Sequence, residues 1–145
     1  MLPDFPSDGL LPPGEHLATW DEISNRFGWN PRRQSLLAGL SAALIPLRTA
    51  GCGRVFLDGS FVTDKELPGD YDAAWDLAGV DLGLLHVLEP VFFNFDNQRA
   101  AQKAKYLGEF FPASAPADLA GTLFREFFQR DKNTGGMKGI VVLQP

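Results

Sequence analysis

"FLDGSFVTDKELPGDYDAAWD", residues 56–76, is the stretch whose reading decides the fold of this chain. An apolar run ends at Gly59-Ser60, the polar loop 61–69 follows, and then Asp70 and Asp72 stand two positions apart. On a strand, Asp70, Asp72, Ala74 and Asp76 share one face, while Tyr71, Ala73 and Trp75 share the other. Carboxylates so placed, with Cα atoms roughly 6–7 Å apart, repel one another unless a cation lies between them or a proton is shared. The spacing suits hard cations with bridging oxygen ligands, and two Mg²⁺ ions about 4 Å apart can orient a nucleophile and stabilise a leaving pyrophosphate. Gly59 leaves room for a phosphate to approach backbone N–H groups, and Ser60 adds a hydroxyl. A phosphate cradle beside metal-binding carboxylates is the logic of nucleotidyl transfer. The competing reading is a plain loop whose aspartates cap turns and face solvent. A calcium loop of the EF-hand type does not fit, because its glycine and terminal Glu are missing.

Working outward, "RVFLDG" (54–59) reads as a buried strand and "DYDAAWD" (70–76) as its neighbour. "EPVFFNFD" (89–96) reads as a third strand and "MKGIVVL" (137–143) as the last. Thr19 and Glu22 form a capping box that starts a short helix ending at Gly28. Asn30-Pro31 starts another, whose Leu36, Leu40, Leu44 and Leu47 make one apolar face, with Pro46 expected to bend its far end. Residues 98–107 predict a helix closed by Gly108, and Leu123, Phe124, Phe127 and Phe128 recur at helical spacing within Ala117–Arg130. Pro3, Pro6, Pro12 and Pro13 make residues 1–15 an extended arm ahead of a domain at 16–145. This order predicts a single α/β (α+β) domain, a mixed sheet of four or five strands packed by helices.

The chain has 145 residues, enough for one domain, with 45% hydrophobic and 21% charged residues. A net charge of −5 argues against a broad phosphate-tracking surface, yet leaves room for a nucleotide that brings its own metal ions. No apolar run approaches the roughly 18 residues needed to span a bilayer, so no membrane is expected as a partner. The acidic N-terminus lacks the basic region of a secretory signal. Cys52 is the one cysteine, which excludes an internal disulfide and suits a reducing cytoplasm. His16 and His86 have no ligand-spaced partner, and Cys52 reads as a small core side chain.

The run from Gly59 to Asp76 resembles the signature of the nucleotidyltransferase superfamily typified by DNA polymerase beta: an apolar strand, Gly-Ser, a connecting loop, then Asp-x-Asp flanked by apolar positions. More narrowly, "TWDE" (19–22), "GSFVT" (59–63), "PGDYD" (68–72) and "RAAQKAKY" (99–106) together resemble small bacterial nucleotidyltransferase-like proteins, from about residue 14 to the C-terminus. The resemblance implies a minimal nucleotidyltransferase fold in which Gly59 and Ser60 contact a nucleoside triphosphate, while Asp70 and Asp72 hold Mg²⁺ or Mn²⁺. Arg99, Lys103 and Lys105 are candidates for phosphate contact, since Arg99 and Lys103 share a helix face; the alternative is a solvated helix face.

The superfamily usually carries a third carboxylate between apolar residues on a later strand. The matching context here is "FNF", centred on Asn94, which can ligate a metal but cannot act as a base. Asp96, two residues on, is then the candidate third acid, with Asp76 behind it. The resemblance further implies transfer of a nucleoside monophosphate to a hydroxyl of tRNA or protein, with a cognate toxin or antitoxin, or a phage-defence pair, as context. The other reading is a weakly catalytic subunit that binds a nucleotide or a partner protein, acting as a regulator or antitoxin.

Overall fold

The structure is a computed structural model and describes residues 2–145. In chain order its elements are β1 (Gly14–Leu17), α1 (Trp20–Phe27), α2 (Pro31–Thr49), β2 (Val55–Asp58), β3 (Tyr71–Trp75), α3 (Leu82–Leu88), α4 (Asp96–Tyr106), β4 (Gly108–Pro112), α5 (Phe124–Phe127) and β5 (Gly139–Leu143). The five strands form one mixed sheet in the order β1-β5-β2-β3-β4. The two segments around the Gly-Ser turn do lie side by side: β2 and β3 are antiparallel, with Asp58 opposite Asp72. β5 runs antiparallel on the other side of β2, while β1 and β4 pair parallel to β5 and β3 at the two edges.

Period-two alternation gives the sheet two unlike faces. Val55, Leu57, Tyr71, Ala73, Trp75 and Phe110 point into the main core, where Ile23 and Phe27 of α1, Leu36, Leu40 and Leu47 of α2, and Leu85 of α3 meet them. Phe56, Ala74, Phe111, Ile140 and Val142 point the other way and are covered by Ala113, Phe124 and Phe128. The helices begin as their caps dictate. Thr19 Oγ1 accepts from Glu22 N at 3.2 Å and Glu22 Oε1 accepts from Thr19 N at 3.2 Å, which closes the capping box of α1. Asn30 Oδ1 accepts from Arg33 N at 2.9 Å ahead of Pro31 in α2. α2 continues through Pro46 to Thr49.

Four expectations need correction. Residues 89–96 are not a strand: Pro90–Phe93 form a 3₁₀ turn, because the Glu89 carboxylate caps Val91 N at 3.2 Å, and Asn94 is an exposed residue beyond it. The place beside β3 belongs to β4, where Gly108 passes so close to Tyr71 that an added Cβ would lie 2.4 Å from the ring. Helix over 117–130 shrinks to α5. Asp118 Oδ1 accepts from Thr122 N at 3.0 Å and Gly121 takes φ +81°, so a local turn outcompetes the helix there. The expected helix at 98–107 is α4, but Asn97, Gln98 and Arg99 stand in left-handed backbone, and Leu107 rather than Gly108 supplies the left-handed cap. Finally, the N-terminal arm is part of the fold. Leu2 and Leu11 are buried, Arg26 Nη2 donates to Leu2 O at 2.9 Å, and pairing with β5 begins at Gly14.

Candidate functional site

Three adjacent strands bring three acids into one row. Asp58 ends β2, Asp72 sits opposite it in β3, and Glu109 sits opposite Asp72 in β4. Each lies two residues or one alternation step from Phe56, Ala74 or Phe111, so all three point to the face away from the main helices. Asp70, just before β3, lies close enough for its charge to act on Asp72 and to be acted on by Glu109.

The Gly-Ser turn abuts this row. Gly59 has φ 87° and ψ −176°, a conformation essentially confined to glycine. A Cβ there would stand 3.2 Å from Asp72 Oδ2 and 3.4 Å from Asp72 N. Ser60 then opens a 3₁₀ turn, Ser60–Val62, in which Val62 N donates to Gly59 O at 3.2 Å and Thr63 N to Ser60 O at 3.2 Å. Beneath the turn lies Arg33, fully buried. Its guanidinium donates to Phe27 O at 3.1 Å, Phe61 O at 2.6 Å, Thr63 O at 2.7 Å and Lys65 O at 2.7 Å, and stacks 3.6 Å from the Trp29 ring. A buried cation is tolerated when its donors are satisfied in this way. Burial still lowers its pKa to about 10. The loop after Gly59 is thus fastened by its carbonyls from below.

Charge on the row is unevenly compensated. The Lys138 ammonium bonds Asp58 Oδ1, and Lys103 Nζ lies 3.1 Å from Glu109 Oε1, one lysine at each end. Asp72 in the middle is pushed up to about 7, first by burial and then by repulsion from Asp70, Asp58 and Glu109. Asp70 is raised by burial and by Glu109, against the pull of Lys103, Arg32 and Lys65. Burial also raises Asp58, with Lys138 opposing. Arg99 overlooks Glu109 and Asp72, its guanidinium 4.0 Å from the Phe111 ring centre, and its Nε is buried without a hydrogen-bond partner among the described residues. Three consecutive left-handed residues position it, at a cost on the order of 1 kcal/mol or more each.

Residues 3–144 match the Family of unknown function (DUF6932). The chain belongs to that family. No curated protein and no solved structure matches it. In this DUF6932 member the fold gathers Gly59, Ser60, Asp70, Asp72, Arg99 and Lys103 from the sequence-predicted set, and separates the others from them. Asn94 and Asp96 are exposed, and Asn94 Oδ1 accepts from Asp96 N at 3.1 Å. They line a cleft of about 620 Å³ with His86, Glu89, Phe93 and Lys105. Lys105 is not beside the acid row; it pairs with Glu89, which also accepts from Tyr106 Oη at 2.6 Å. Asp76 is held by Arg54 at 2.8 Å, on the end of β3 away from Asp72. Although that cleft is wide, its one buried carboxylate is already matched by a lysine and a phenol, so the unspent charge lies on the row.

Sequence reasoning missed Glu109, Arg33, Asp58 and Lys138. Glu109 had little signal, since in "GEFFP" the acid precedes two adjacent phenylalanines and shows no strand alternation. Among the described residues, no group of three His, Cys, Asp or Glu side chains is arranged to hold a metal ion. Mg²⁺, however, takes only one or two protein carboxylates and completes its shell with water and substrate phosphate. Asp70 and Asp72, crowded and undercompensated, are a pair that fits such an ion, while Glu109 beside them is matched by Lys103.

Proposed function

We propose that the protein is a metal-dependent nucleotidyltransferase, moving a nucleoside monophosphate from a triphosphate to an acceptor hydroxyl. The observation that carries this reading is the convergence of the Gly59-Ser60 turn on Asp72, with Asp70 and Glu109 beside it. Glu109 stands where Asn94 would have left a gap, so the site has three acids rather than two. Asp70 and Asp72 would hold Mg²⁺ or Mn²⁺, which would supply charge neutralisation at the phosphates. Gly59 and Ser60 bind the phosphate chain, and Arg99 and Lys103 bias the Glu109 end toward anions. The acceptor oxygen forms a bond to the α-phosphorus as the bond to pyrophosphate breaks, and a carboxylate oxygen of Glu109 takes the hydroxyl proton. An acceptor on tRNA or protein, and a toxin–antitoxin setting, are the further terms of the proposal.

The second reading is a nucleotide-binding regulatory subunit, favoured by the exposed apolar side chains of α3, where Leu82, Leu84, Val87 and Leu88 face solvent. Incubation with each labelled triphosphate, Mg²⁺ or Mn²⁺, and total tRNA or lysate separates the two. Label entering RNA or protein, and lost in Glu109→Gln, supports transfer. Tight nucleotide binding without label transfer supports the regulatory subunit. No metal-dependent nucleotide binding at all would overturn both.

A further inference from the structure

We propose that Lys138 is a phosphate ligand held in reserve: it neutralises Asp58 in the resting protein and passes to the triphosphate when metal and nucleotide enter, assisted by Lys132 on the same loop. The proposal rests on the nucleotidyl-transfer reading and adds the residues that grip the phosphate chain from the β5 side.

Lys138 lies two positions before Ile140, whose side chain packs with Phe56 and Ala74, so it projects to the face that carries the acid row. Its backbone is pinned, with N donating to Gln129 O at 2.8 Å. Its ammonium bonds Asp58 Oδ1, and the two side chains are only 16% and 10% exposed. The loop ahead of it is closed by Asp131 N donating to Gly136 O at 2.8 Å and Gly135 N to Asp131 O at 2.7 Å. Asp131 spends its own carboxylate on Asn133 N and Thr134 Oγ1. Lys132 is exposed on that loop, makes no ion pair among the described residues, and its charge is felt at Asp58.

Besides Lys138, the Asp58 carboxylate accepts from the Gly59 backbone N–H, which ties this pair to the Gly-Ser turn. It sits next to Asp72 and adds to the repulsion there. Its presence is explained if the row must keep a cation close before the ligand arrives. Asp70 and Asp72 holding a divalent ion would carry less net negative charge, and the hold on Lys138 would weaken. A lysine, a point charge on a flexible stem, can then turn to phosphate oxygens without backbone movement.

The test uses the full chain, Mg²⁺ and inorganic tripolyphosphate, which carries no base, with calorimetric affinity and thermal stability as readouts. Wild type is expected to bind tripolyphosphate only with Mg²⁺. Lys138→Gln should lose on the order of tenfold in affinity, the worth of one charged hydrogen bond, and should also be less stable without ligand. The double variant Asp58→Asn/Lys138→Gln should regain stability, because no buried charge is left unpaired, while its affinity stays low. If the double variant regains affinity too, Lys138 is only the counter-ion of Asp58 and the proposal is wrong. Lys132→Gln, which leaves the buried pair intact, should weaken binding severalfold; unchanged affinity would remove Lys132 from the site. Absence of any Mg²⁺-dependent binding in wild type would instead overturn the parent reading and this one with it.

Discussion

Asp72→Asn should make the protein more stable and less functional at once. The Asp72 carboxyl is raised from 3.8 to about 7, so in the folded state its charge is resisted by burial and by three neighbouring acids. The sign follows from linkage. Below 3.8 both folded and unfolded chains carry the proton and the site costs nothing. Between 3.8 and about 7 the unfolded chain ionises while the folded one does not, and stability drains away. Above about 7 the loss is complete. A rise from 3.8 to about 7, at about 1.36 kcal/mol for each pH unit, sets a ceiling on the order of 4 kcal/mol.

Asparagine keeps the shape and removes the charge. At pH 8 without ligand, Asp72→Asn should therefore raise the melting temperature by several degrees, up to about 10 °C at the ceiling. Near pH 4 the two proteins should melt together. With Mg²⁺ and triphosphate at a hundred times Kd, wild type should gain about 2.7 kcal/mol, and the variant should gain none. Melting curves at pH 4, 6 and 8, each with and without ligand, would show this. A variant that is less stable than wild type at pH 8, or whose advantage is the same at pH 4, would refute the electrostatic account. An undiminished ligand shift in the variant would refute the metal role.

Other substitutions follow from the same geometry. Glu109→Gln should abolish label transfer while Asn94→Asp and Asp96→Ala leave it within about twofold, a ranking set by general-base effects of roughly 10²- to 10⁴-fold; transfer assays on all three decide whether the third acid is on β4. Gly59→Ala forces a Cβ to 3.2 Å from Asp72 Oδ2 in a backbone region closed to alanine, and should cost on the order of 1–3 kcal/mol in denaturant unfolding together with nucleotide binding. Arg33→Met leaves the buried carbonyls of Phe27 and Phe61 and the part-buried ones of Thr63 and Lys65 without this donor, and should cost on the order of 3 kcal/mol by the same measurement. Burial works to raise the Glu89 carboxyl, but Lys105, Tyr106 and the Val91 N–H outweigh it and hold the pKa below 4.5. Its contribution to stability is then present above pH 4.5 and lost as pH falls through the lower folded value, so Glu89→Gln should flatten the acid limb of a stability–pH curve.

The parts of the fold legible in the sequence are those encoded within a few residues. Alternation at Val55–Asp58 and Tyr71–Trp75, the Thr19 capping box and the Asn30-Pro31 start all appear where their local chemistry puts them. The Gly-Ser turn and the aspartates converge because the loop between them joins two antiparallel neighbours. The third acid depends on a choice that no local pattern records, namely which later segment pairs beside β3. Phe93-Asn94-Phe95 has apolar residues on both sides of its polar one, yet Glu89 and Pro90 bend the chain before a strand can form. Gly108 reads as a helix stop, whereas its missing side chain is what admits the Tyr71 ring. Arg33 carries no local signal because the carbonyls that surround it come from 27 and from 61–65, brought to it only by tertiary folding. Lys138 lies 80 residues from Asp58, beyond any spacing rule.

The strand order also governs when the molecule can assemble. β5, the strand synthesised last of the five, lies inside the sheet between β1 and β2. Until residues 139–143 have left the ribosome, β2 presents an open edge of Val55, Phe56 and Leu57, and the early strand β1 has nothing to pair with. Until then the nascent chain carries an apolar, unpaired edge, a state prone to aggregation and to recognition by chaperones. The sheet therefore closes only once residues 139–143 have emerged, in one step that joins β1, β5 and the acid row's Lys138 together.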